Sequence, residues 1–353
     1  MSKFWIYYGT GTTGEGQGIY RQAFDADSLE LGEVQLAADG PKTGFQYVTG
    51  DESTLYSAVS DGPLGAVRAY SIDKDNGSLS LLNQVSTKGG GLCYVGMDRS
   101  EKFILGASYG DAVVSVLSTE DDGSVGEPVF TTQHEGTSGV RPDRQEAAHA
   151  HSIYADPTNE YVFVCDLGKD QIVVYRLNKE TGELGEGPMA FARTNPGAGP
   201  RHLAFHRNGK WVYSINELEG SVTHFVWDAL QGTLLERAST DTLPEEFEGG
   251  NTTAEILVSS DGRFVYGSNR GHDSLVVYSV DQETGVLTLV QREDCRGQHP
   301  RNFNIDPTGK VLVCANRDTD NVSFFKIDEA SGKIEYVKEA GVKAAICVRF
   351  VTR

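Results

Sequence analysis

The sequence predicts an all-β protein, a β-propeller with seven blades of four antiparallel strands each. Three observations lead to this fold class. Short runs of β-branched and aromatic residues, such as YVFVCDL and NVSFFKID, alternate with polar turns along the chain. A glycine-containing turn recurs at a period of about fifty residues. Strand-like segments that belong to no complete unit stand at both ends of the chain.

The recurring turn reads DNGSL, DDGSV, ETGEL, LQGTL, ETGVL and ASGKI. Its glycines are Gly77, Gly123, Gly182, Gly232, Gly285 and Gly332, with successive separations of 46, 59, 50, 53 and 47 residues. A repeat of about this length that holds four short strands is typical of a propeller blade. The chain therefore contains six complete units between its two ends.

The elements follow in a simple order. FWIYYGTG and the hairpin IYRQAFDADSLELGEVQL supply three N-terminal strands, and two loosely matching units follow around FQYVTGDESTLYSAVSDG and YVGMDRSEKFILGASYGD. Four units that align over their whole length begin at AHSIYADP, RHLAFHRN, AEILVSSD and RNFNIDPT, and AAICVRFV remains. This last strand completes a seventh blade with the three N-terminal strands, which closes the ring and removes exposed sheet edges. Residues 1–353 are thus predicted to form one domain.

One separation is longer than the others because of an insertion. The stretch TTQHEGTSGVRPDRQEAA, residues 131 to 148, is polar and leads directly into the strand AHSIYA. A long loop inside a tight repeat is more often functional than idle. The insertion is therefore a candidate contributor to a site.

The amino-acid composition limits the classes of partner and the location that we expect for the protein. The net charge of −19 disfavours nucleic acid and anionic membranes, because both require a basic face. No apolar run approaches the roughly 18 residues of a membrane helix, and the start MSKFWIYYGTG lacks the layout of a signal peptide. The five cysteines show no paired spacing. These features favour a reducing, cytoplasmic location.

Two columns of the aligned blades hold charged residues where a structural repeat would hold similar ones. The column at the start of the first strand reads His151, Arg201, Ala254 and Arg301, with Glu255 next to the alanine. The column after the second strand reads Leu167, Glu217, Arg270 and Arg317, preceded by Asp166, Asn216, Asn269 and Asn316. Antiparallel neighbours bring these columns to one face of the ring. The equivalent positions in the early blades hold Ser60, Cys93 and Tyr109.

This arrangement predicts a charged arc on one side of the channel mouth, which is suited to a small-molecule site. Arginine provides planar donors for carboxylate or phosphate, so the expected ligand is a small anion. Ion pairing among these residues around the pore is the structural alternative.

His149 and His151 stand two residues apart at the start of a strand, where alternation would put both on one face. Such a pair could be half of a metal site. A site needs a third or fourth ligand, and neither HExxH nor CxxC accompanies the pair. We therefore expect neither a bound metal nor a cofactor.

The chain resembles the seven-bladed propeller lactonase family, which includes bacterial cytoplasmic 6-phosphogluconolactonases and fungal carboxy-muconate cyclases. The resemblance covers nearly the whole chain and is carried by RQEAAHAHS (144–152), GPRHLAFH (199–206), YSINELEGSV (213–222), NTTAEILVSSDGRFVYGSNRGHDS (251–274) and HPRNFNIDPTGKVLVCAN (299–316). It implies a catalytic set of His151, Arg201, Glu217 and Arg270. The residues expected to bind substrate are Arg144, His149, Glu255 and Arg301, together with the neighbouring amides Asn269 and Asn316.

Three functions stay open at this stage. Hydrolysis of a sugar lactone, such as 6-phosphogluconolactone in the pentose phosphate pathway, needs a base for water and a charge that holds the oxyanion. Either Glu217 or His151 could be that base. Cyclisation of a muconate tricarboxylate would use a similar arginine-rich site, and a non-catalytic propeller would instead bind proteins or peptides. The sequence does not determine the oligomeric state.

Overall fold

The computed structural model of the protein describes residues 2–11, 15–40, 42–60 and 62–353. Over these residues the chain forms seven antiparallel sheets, and each sheet is one blade of a propeller. The predicted fold class is confirmed. Within the same ranges, the 3₁₀ turn Leu167–Lys169 is the one helical element, and no helix is long and apolar enough to cross a bilayer.

The N-terminal strands are β1 (Lys3–Thr10), β2 (Gly18–Asp25), β3 (Glu30–Leu31) and β4 (Gln35–Asp39). Six blades of consecutive strands follow. Blade 1 contains β5 (Thr43–Val48), β6 (Thr54–Val59), β7 (Ala66–Ile72) and β8 (Leu79–Ser86). Blade 2 contains β9 (Leu92–Met97), β10 (Phe103–Ser108), β11 (Val113–Thr119) and β12 (Val125–Gln133). Blade 3 contains β13 (Ala150–Ala155), β14 (Tyr161–Asp166), β15 (Gln171–Leu177) and β16 (Leu184–Arg193).

The second half of the ring repeats this order. Blade 4 contains β17 (Pro200–Phe205), β18 (Trp211–Asn216), β19 (Ser221–Asp228) and β20 (Thr233–Asp241). Blade 5 contains β21 (Thr252–Val258), β22 (Phe264–Arg270), β23 (Ser274–Val280) and β24 (Leu287–Asp294). Blade 6 contains β25 (Pro300–Ile305), β26 (Val311–Asn316), β27 (Asn321–Ile327) and β28 (Ile334–Gly341). The chain ends with β29 (Ala345–Thr352).

Blade 7 is formed by both ends of the chain. Strand β29 pairs antiparallel with β1, from Phe4 opposite Thr352 to Gly9 opposite Cys347. Strands β3 and β4 both pair with β2, so the outer strand of this blade is split into two pieces. The predicted closure, with one C-terminal and three N-terminal strands, is confirmed, and the split is a detail that the sequence did not reveal.

The recurring glycine turn joins the third and fourth strands of blades 1 to 6. All six of its glycines have positive φ, from 62° to 83°, which glycine adopts without steric cost. In four cases the turn also receives a hydrogen bond from a tyrosine of the preceding blade. These bonds run from Tyr7 to Gly77, Tyr56 to Gly123, Tyr213 to Gly285 and Tyr266 to Gly332. The turn therefore links adjacent blades as well as adjacent strands.

Every innermost strand contains a β-bulge close to its start. In blade 3, Ala150 faces Asp166 and Ser152 faces Cys165, so His151 is the extra residue. The same irregularity occurs at equivalent places in the other blades. A bulge breaks the strict alternation of side chains and redirects the extra residue. The bulges therefore determine which side chains reach the centre of the ring.

Candidate active site

A cavity of about 600 Å³ lies at the centre of the ring, where the innermost strands begin. Its lining residues are Thr10, Gly11, Lys42, Gly44, Phe45, Ala58, Ser60, Gly91, Leu92, Cys93, Tyr109, Arg144, His151, Arg201, His202, Glu217, Thr252, Arg270, His299, Arg301, Arg317 and Ile346. All seven blades contribute. The volume is within the usual range for small-molecule sites.

Bulge residues form much of this lining. Gly44 and Phe45, Cys93, His151, Arg201, Arg301 and Ile346 are bulge residues of blades 1, 2, 3, 4, 6 and 7. The column predicted at the start of the first strand is therefore the bulge position. Blades 7, 1 and 2 fill it with small, apolar or thiol side chains, whereas blades 3, 4 and 6 supply a histidine and two arginines. The predicted one-sided charged arc is present.

Glu217 lies at the centre of the arc, where three guanidinium groups surround its carboxylate. Oε1 accepts a hydrogen bond of 2.6 Å from Arg144 Nη2, and Oε2 accepts one of 2.9 Å from Arg201 Nε. Arg270 Nη2 forms an ion pair of 2.9 Å with the same Oε2. Burial raises the pKa of Glu217, but Arg270, Arg201, His151 and Arg144 together hold it well below its usual range. The carboxylate is therefore ionised and fully engaged with cations.

Arg144 comes from the predicted functional insertion. The neighbouring Gln145 is fully buried, and its amide donates to Leu167 O and to Asp170 Oδ1 at 2.8 and 2.7 Å. Upstream, His134 lies 2.6 Å from Asp166 Oδ2 through Nδ1 and 2.9 Å from the Tyr175 hydroxyl through Nε2. These contacts fix the insertion on blade 3 and place Arg144 at the site.

His151 lies beside Glu217 without bonding to it. Its Nε2 is 4.0 Å from Glu217 Oε2, and its ring is edge-on to Tyr109 at 5.7 Å. Nδ1 is buried and has no hydrogen-bond partner among the described residues. Burial, Arg201 and His202 lower the pKa of His151 well below 6.5, so its imidazole is neutral at physiological pH.

Arg301 differs from the other arginines of the cavity because it has no partner. Within the described ranges it forms no ion pair and no hydrogen bond, although Glu217 attracts it at longer range. Burial, Arg201 and Arg270 lower its pKa to about 9. Arg317, by contrast, donates to Asp318 at 2.6 Å. An unpaired cation in a restricted cavity is costly unless a ligand supplies the missing anion.

Comparison with known proteins assigns the family. The model of the family described as "Lactonase, 7-bladed beta-propeller" matches residues 5–350 of the chain. The chain belongs to this lactonase family.

The lactonase is 36% identical over 353 residues to the 6-phosphogluconolactonase of Bacillus subtilis, and the match covers 99% of each chain. It is 33% identical over 330 residues to the 6-phosphogluconolactonase of Formosa agariphila, with 91% of each chain covered. The structure of the periplasmic gluconolactonase of Pseudomonas aeruginosa superposes with a TM-score of 0.93 at 31% identity, and 99% of each chain is covered. These relationships identify the chain as a lactone-hydrolysing enzyme.

The structure brings the four predicted catalytic residues of the lactonase together. His151, Arg201 and Arg270 lie within 4.0 Å of Glu217, at the distances given above, and all four line the cavity. Among the residues expected to bind substrate, Arg144 and Arg301 also line it.

The other expected substrate-binding residues lie behind this surface. The strand begins at Ala150 and the bulge follows at once, so the regular alternation from which His149 and His151 were predicted to share one face does not apply here. The ring of His149 stacks on Tyr109 at 4.4 Å. Glu255 is buried behind His202 and accepts its Nδ1–H at 2.9 Å.

Asn269 and Asn316 are fully buried inside their blades and do not reach the cavity. Asn269 donates to Ser274 Oγ and accepts from Thr242 Oγ1. Asn316 donates to Cys295 O and to Ser323 Oγ. Because each amide already bonds to its own blade and to the end of the preceding blade, the expectation that they contact a substrate is corrected to a structural role.

The cavity of the lactonase is also lined by residues that were not predicted as site residues, among them Tyr109, His202 and His299. His202 is the residue after the bulge of blade 4, and the equivalent residues in blades 3, 5 and 6 are Ser152, Glu255 and Asn302. This column also mixes polar residue types. Comparing the blades one residue further along would therefore have revealed it.

Among the described residues, no group of three or more His, Cys, Asp or Glu side chains is placed to hold a metal ion. His134 bonds to Asp166 and Tyr175, away from the cavity lining.

Proposed function

We propose that the lactonase hydrolyses a phosphorylated sugar lactone, 6-phosphogluconolactone, to 6-phosphogluconate. The supporting observation is the charge of the cavity. Among its described lining residues, five arginines face a single carboxylate, and Arg301 is unpaired. A phosphate monoester carries a charge of about −1.5 to −2 at pH 7, which suits this excess of positive charge. The names of the relatives from B. subtilis and F. agariphila support the same substrate.

We assign the reaction to the arc around Glu217. Arg201 uses Nε and Nη1 for contacts within the protein, whereas Nη2 has no hydrogen-bond partner among the described residues. Two N–H groups in a fixed position can stabilise the oxyanion that forms when water adds to the lactone carbonyl. Arg301 and Arg270, on blades 6 and 5, are assigned to the phosphate.

The geometry favours His151 over Glu217 as the base. The Glu217 carboxylate already receives three guanidinium groups, which makes it a weak proton acceptor and a good organiser of the arginines. His151 is neutral and lines the cavity. In the proposed step, its imidazole takes a proton from water while the water oxygen bonds to the carbonyl carbon. The ring C–O bond then breaks, and the leaving oxygen receives the proton.

We further propose that the enzyme works in the cytoplasm, within the pentose phosphate pathway. All five cysteines are free, as expected in a reducing compartment. The P. aeruginosa structural relative is a periplasmic enzyme, so fractionation of the source cells tests this assignment directly.

A substrate panel at near-neutral pH tests the function. We expect 6-phosphogluconolactone to give the highest kcat/KM, followed by unphosphorylated gluconolactone, after the spontaneous hydrolysis of each lactone has been subtracted. A carboxy-muconate belongs in the same panel because the arginine-rich cavity also suits a tricarboxylate. Cyclisation of the muconate without lactone hydrolysis would replace this proposal by the cyclase alternative.

A further inference from the structure

His202 lies between the arginine of the proposed oxyanion site and a buried glutamate. Arg201 Nη1 is 3.1 Å from His202 Nε2, and His202 Nδ1 is 2.9 Å from Glu255 Oε1. All three residues are at least 95% buried. The three side chains form a continuous line from blade 4 into blade 5.

The hydrogen bonds of His202 with Arg201 and Glu255 are compatible with only one of its two neutral tautomers. A guanidinium group only donates hydrogen bonds, so His202 Nε2 must accept from Arg201. In neutral imidazole the other nitrogen then carries the proton, and Nδ1–H donates to Glu255. A doubly protonated ring would place an N–H group against Arg201. Burial, together with the charge of Arg201, lowers the pKa of His202 to about 4 despite the attraction of Glu255.

Glu255 is fixed from its far side. Its Oε2 accepts from Asn302 Nδ2, and its Oε1 accepts from Ile256 N at 3.1 Å. Asn302 Oδ1 in turn accepts from Val348 N at 2.8 Å, so the line continues through blade 6 into blade 7. Burial raises the pKa of Glu255, but His202 and Arg201 lower it overall, which keeps the carboxylate ionised as an acceptor.

The effect on Arg201 is a single fixed orientation. Its Nε donates to Glu217 Oε2 at 2.9 Å, and Nη1 donates both to Ala254 O at 2.7 Å and to His202. Three of its five N–H groups are therefore held by the protein. Both N–H groups of Nη2 are left for a ligand.

We propose that His202 and Glu255 are positioning residues. Glu255 fixes His202 as the Nδ1–H tautomer, and the Nε2 lone pair of His202 orients Arg201 so that its Nη2 faces the lactone oxyanion. This rests on the proposed function, in which Arg201 contacts the reacting carbonyl. His202 itself transfers no proton, because both of its nitrogens are already engaged.

Two variants separate positioning from simple packing. His202→Phe keeps a ring against Phe45 and Tyr94, which lie 5.6 and 5.4 Å from the imidazole, but removes the acceptor. His202→Gln removes the ring and offers an amide oxygen at about the place of Nε2. We expect kcat on the best lactone of the panel to fall about 10- to 100-fold for Phe with little change in KM, because the lost contact acts in the transition state. Gln should retain most of the wild-type kcat.

His224→Leu is the matched control, because His224 is another buried histidine of blade 4 and lies outside the cavity lining. It should keep the wild-type kcat. The positioning role requires a much lower kcat for His202→Phe than for His202→Gln. Normal turnover by the Phe variant, or equal losses of kcat in both variants, would overturn it.

Nitrogen-15 NMR of histidine-labelled wild-type enzyme provides a readout that does not depend on turnover or on the folding of any variant. We expect His202 as the neutral Nδ1–H tautomer from pH 8 down to pH 5. An Nε2–H tautomer would overturn the inference. Absence of lactone hydrolysis by wild-type enzyme would instead reject the proposed function. The NMR result would still show whether His202 accepts from Arg201 and donates to Glu255.

Discussion

Arg201 and Arg301 occupy equivalent bulge positions two blades apart, yet their surroundings differ completely. Arg201 is held by Glu217, Ala254 and His202, whereas Arg301 has no partner among the described residues. The same side chain in the same slot is thus fixed in one blade and available in the other. From this contrast we propose that Arg201 is a preorganised donor for the reaction and that Arg301 binds an anionic group of the ligand.

The first prediction concerns Arg301→Gln. We expect KM for 6-phosphogluconolactone to rise at least about tenfold, because the phosphate loses its unpaired cation. Activity on unphosphorylated gluconolactone should change much less. The melting temperature should hold or rise, because the variant removes a cation that faces Arg201 and Arg270. Arg317→Gln is the control with a smaller expected effect, since Asp318 already pairs with that arginine. Equal losses on both lactones would assign Arg301 to the reaction itself.

The second prediction is the pH dependence of the His151 base. A base must be unprotonated, and the pKa of His151 lies well below its ordinary value of about 6.5. The kcat/KM for gluconolactone should therefore stay level from pH 8 to about pH 6 and fall only in more acidic solution. The unphosphorylated substrate avoids the titration of a phosphate near pH 6.

His151→Gln should lower kcat by roughly 10²- to 10⁴-fold. A half-maximal rate at pH 6.5 or above, or a fully active Gln variant, would remove His151 as the base.

At the residue scale, the sequence revealed the arc because charged residues interrupted equivalent slots of the repeat. It did not reveal what each residue bonds to, since some of the partners come from another blade or from the insertion. Glu217 was expected as a possible base, but three arginines surround it, one from its own blade, one from blade 5 and one from the insertion. Asn269 and Asn316 were assigned to the site because each directly precedes an arginine of the arc. Their side chains are fully buried among the strands and do not reach the cavity.

At the scale of elements, the bulge of each innermost strand links the fold to the site. Simple alternation predicted that His149 and His151 point the same way. The extra residue at His151 breaks this period and turns its side chain toward the centre. Bulges have no fixed sequence signature here, because the bulge residues range from glycine to arginine. Aligning the repeats shows which residue of each blade occupies this position. Only the strand pairing in the structure shows that the residue forms a bulge.

The tyrosine-to-glycine bonds between blades are a second recurring element. A buried carbonyl that loses its partner costs about 1 to 3 kcal/mol. Tyr266 OH donates to Gly332 O at 3.0 Å from a fully buried position, and burial raises the pKa of this hydroxyl. The bond joins blade 5 to the turn of blade 6, away from the residues that line the cavity.

The third prediction is that Tyr266→Phe destabilises the protein without changing its catalysis. We expect a loss of about 1 to 2 kcal/mol in the free energy of unfolding and a fall of a few degrees in melting temperature. Tyr336→Phe is the matched control, because the Tyr336 ring packs on Phe325 and its hydroxyl has no hydrogen bond among the described residues. Denaturant titration and lactone turnover measure the two effects. Equal stability of both variants would show that the bond between the blades contributes nothing.

At the scale of the whole molecule, the charge of the cavity is opposite in sign to the net charge of the chain. The net charge of the chain is −19, whereas five arginines and only one carboxylate are among the described residues that line the cavity. A negative net charge is expected to repel polyanions such as nucleic acid, and we propose that the positive cavity, of about 600 Å³, binds a small anion. Composition alone predicted the first effect. The second depends on the ring, which collects arginines from blades 4, 5 and 6 and from one insertion.

The ring itself depends on pairing between distant parts of the chain. Strand β29 contributes the buried Ala345, Cys347, Val348 and Val351 to blade 7, and it contacts β5 and β25 on either side. Without β29, β1 would present an unpaired edge and blades 1 and 6 would each lose a neighbour. Exposed edges of this kind invite association between chains. The repeat predicted this closure because the strands left at the two ends complete one four-stranded unit.

The fourth prediction is that a chain ending at Ala344 does not form a monomeric active ring. We expect aggregation or soluble oligomers in size-exclusion chromatography and no lactone turnover above the spontaneous rate. The control is a circular permutant that joins Arg353 to Ser2 through a short flexible linker and opens the chain beside Leu230, whose side chain is 97% exposed in a turn of blade 4. Arg353 N donates to Lys3 O at 3.0 Å, so a short linker spans the junction. The permutant keeps every strand pair and should remain folded and active. A truncated chain with wild-type turnover would show that six blades and an open edge suffice, and that the pairing of β29 with β1 is dispensable for the site.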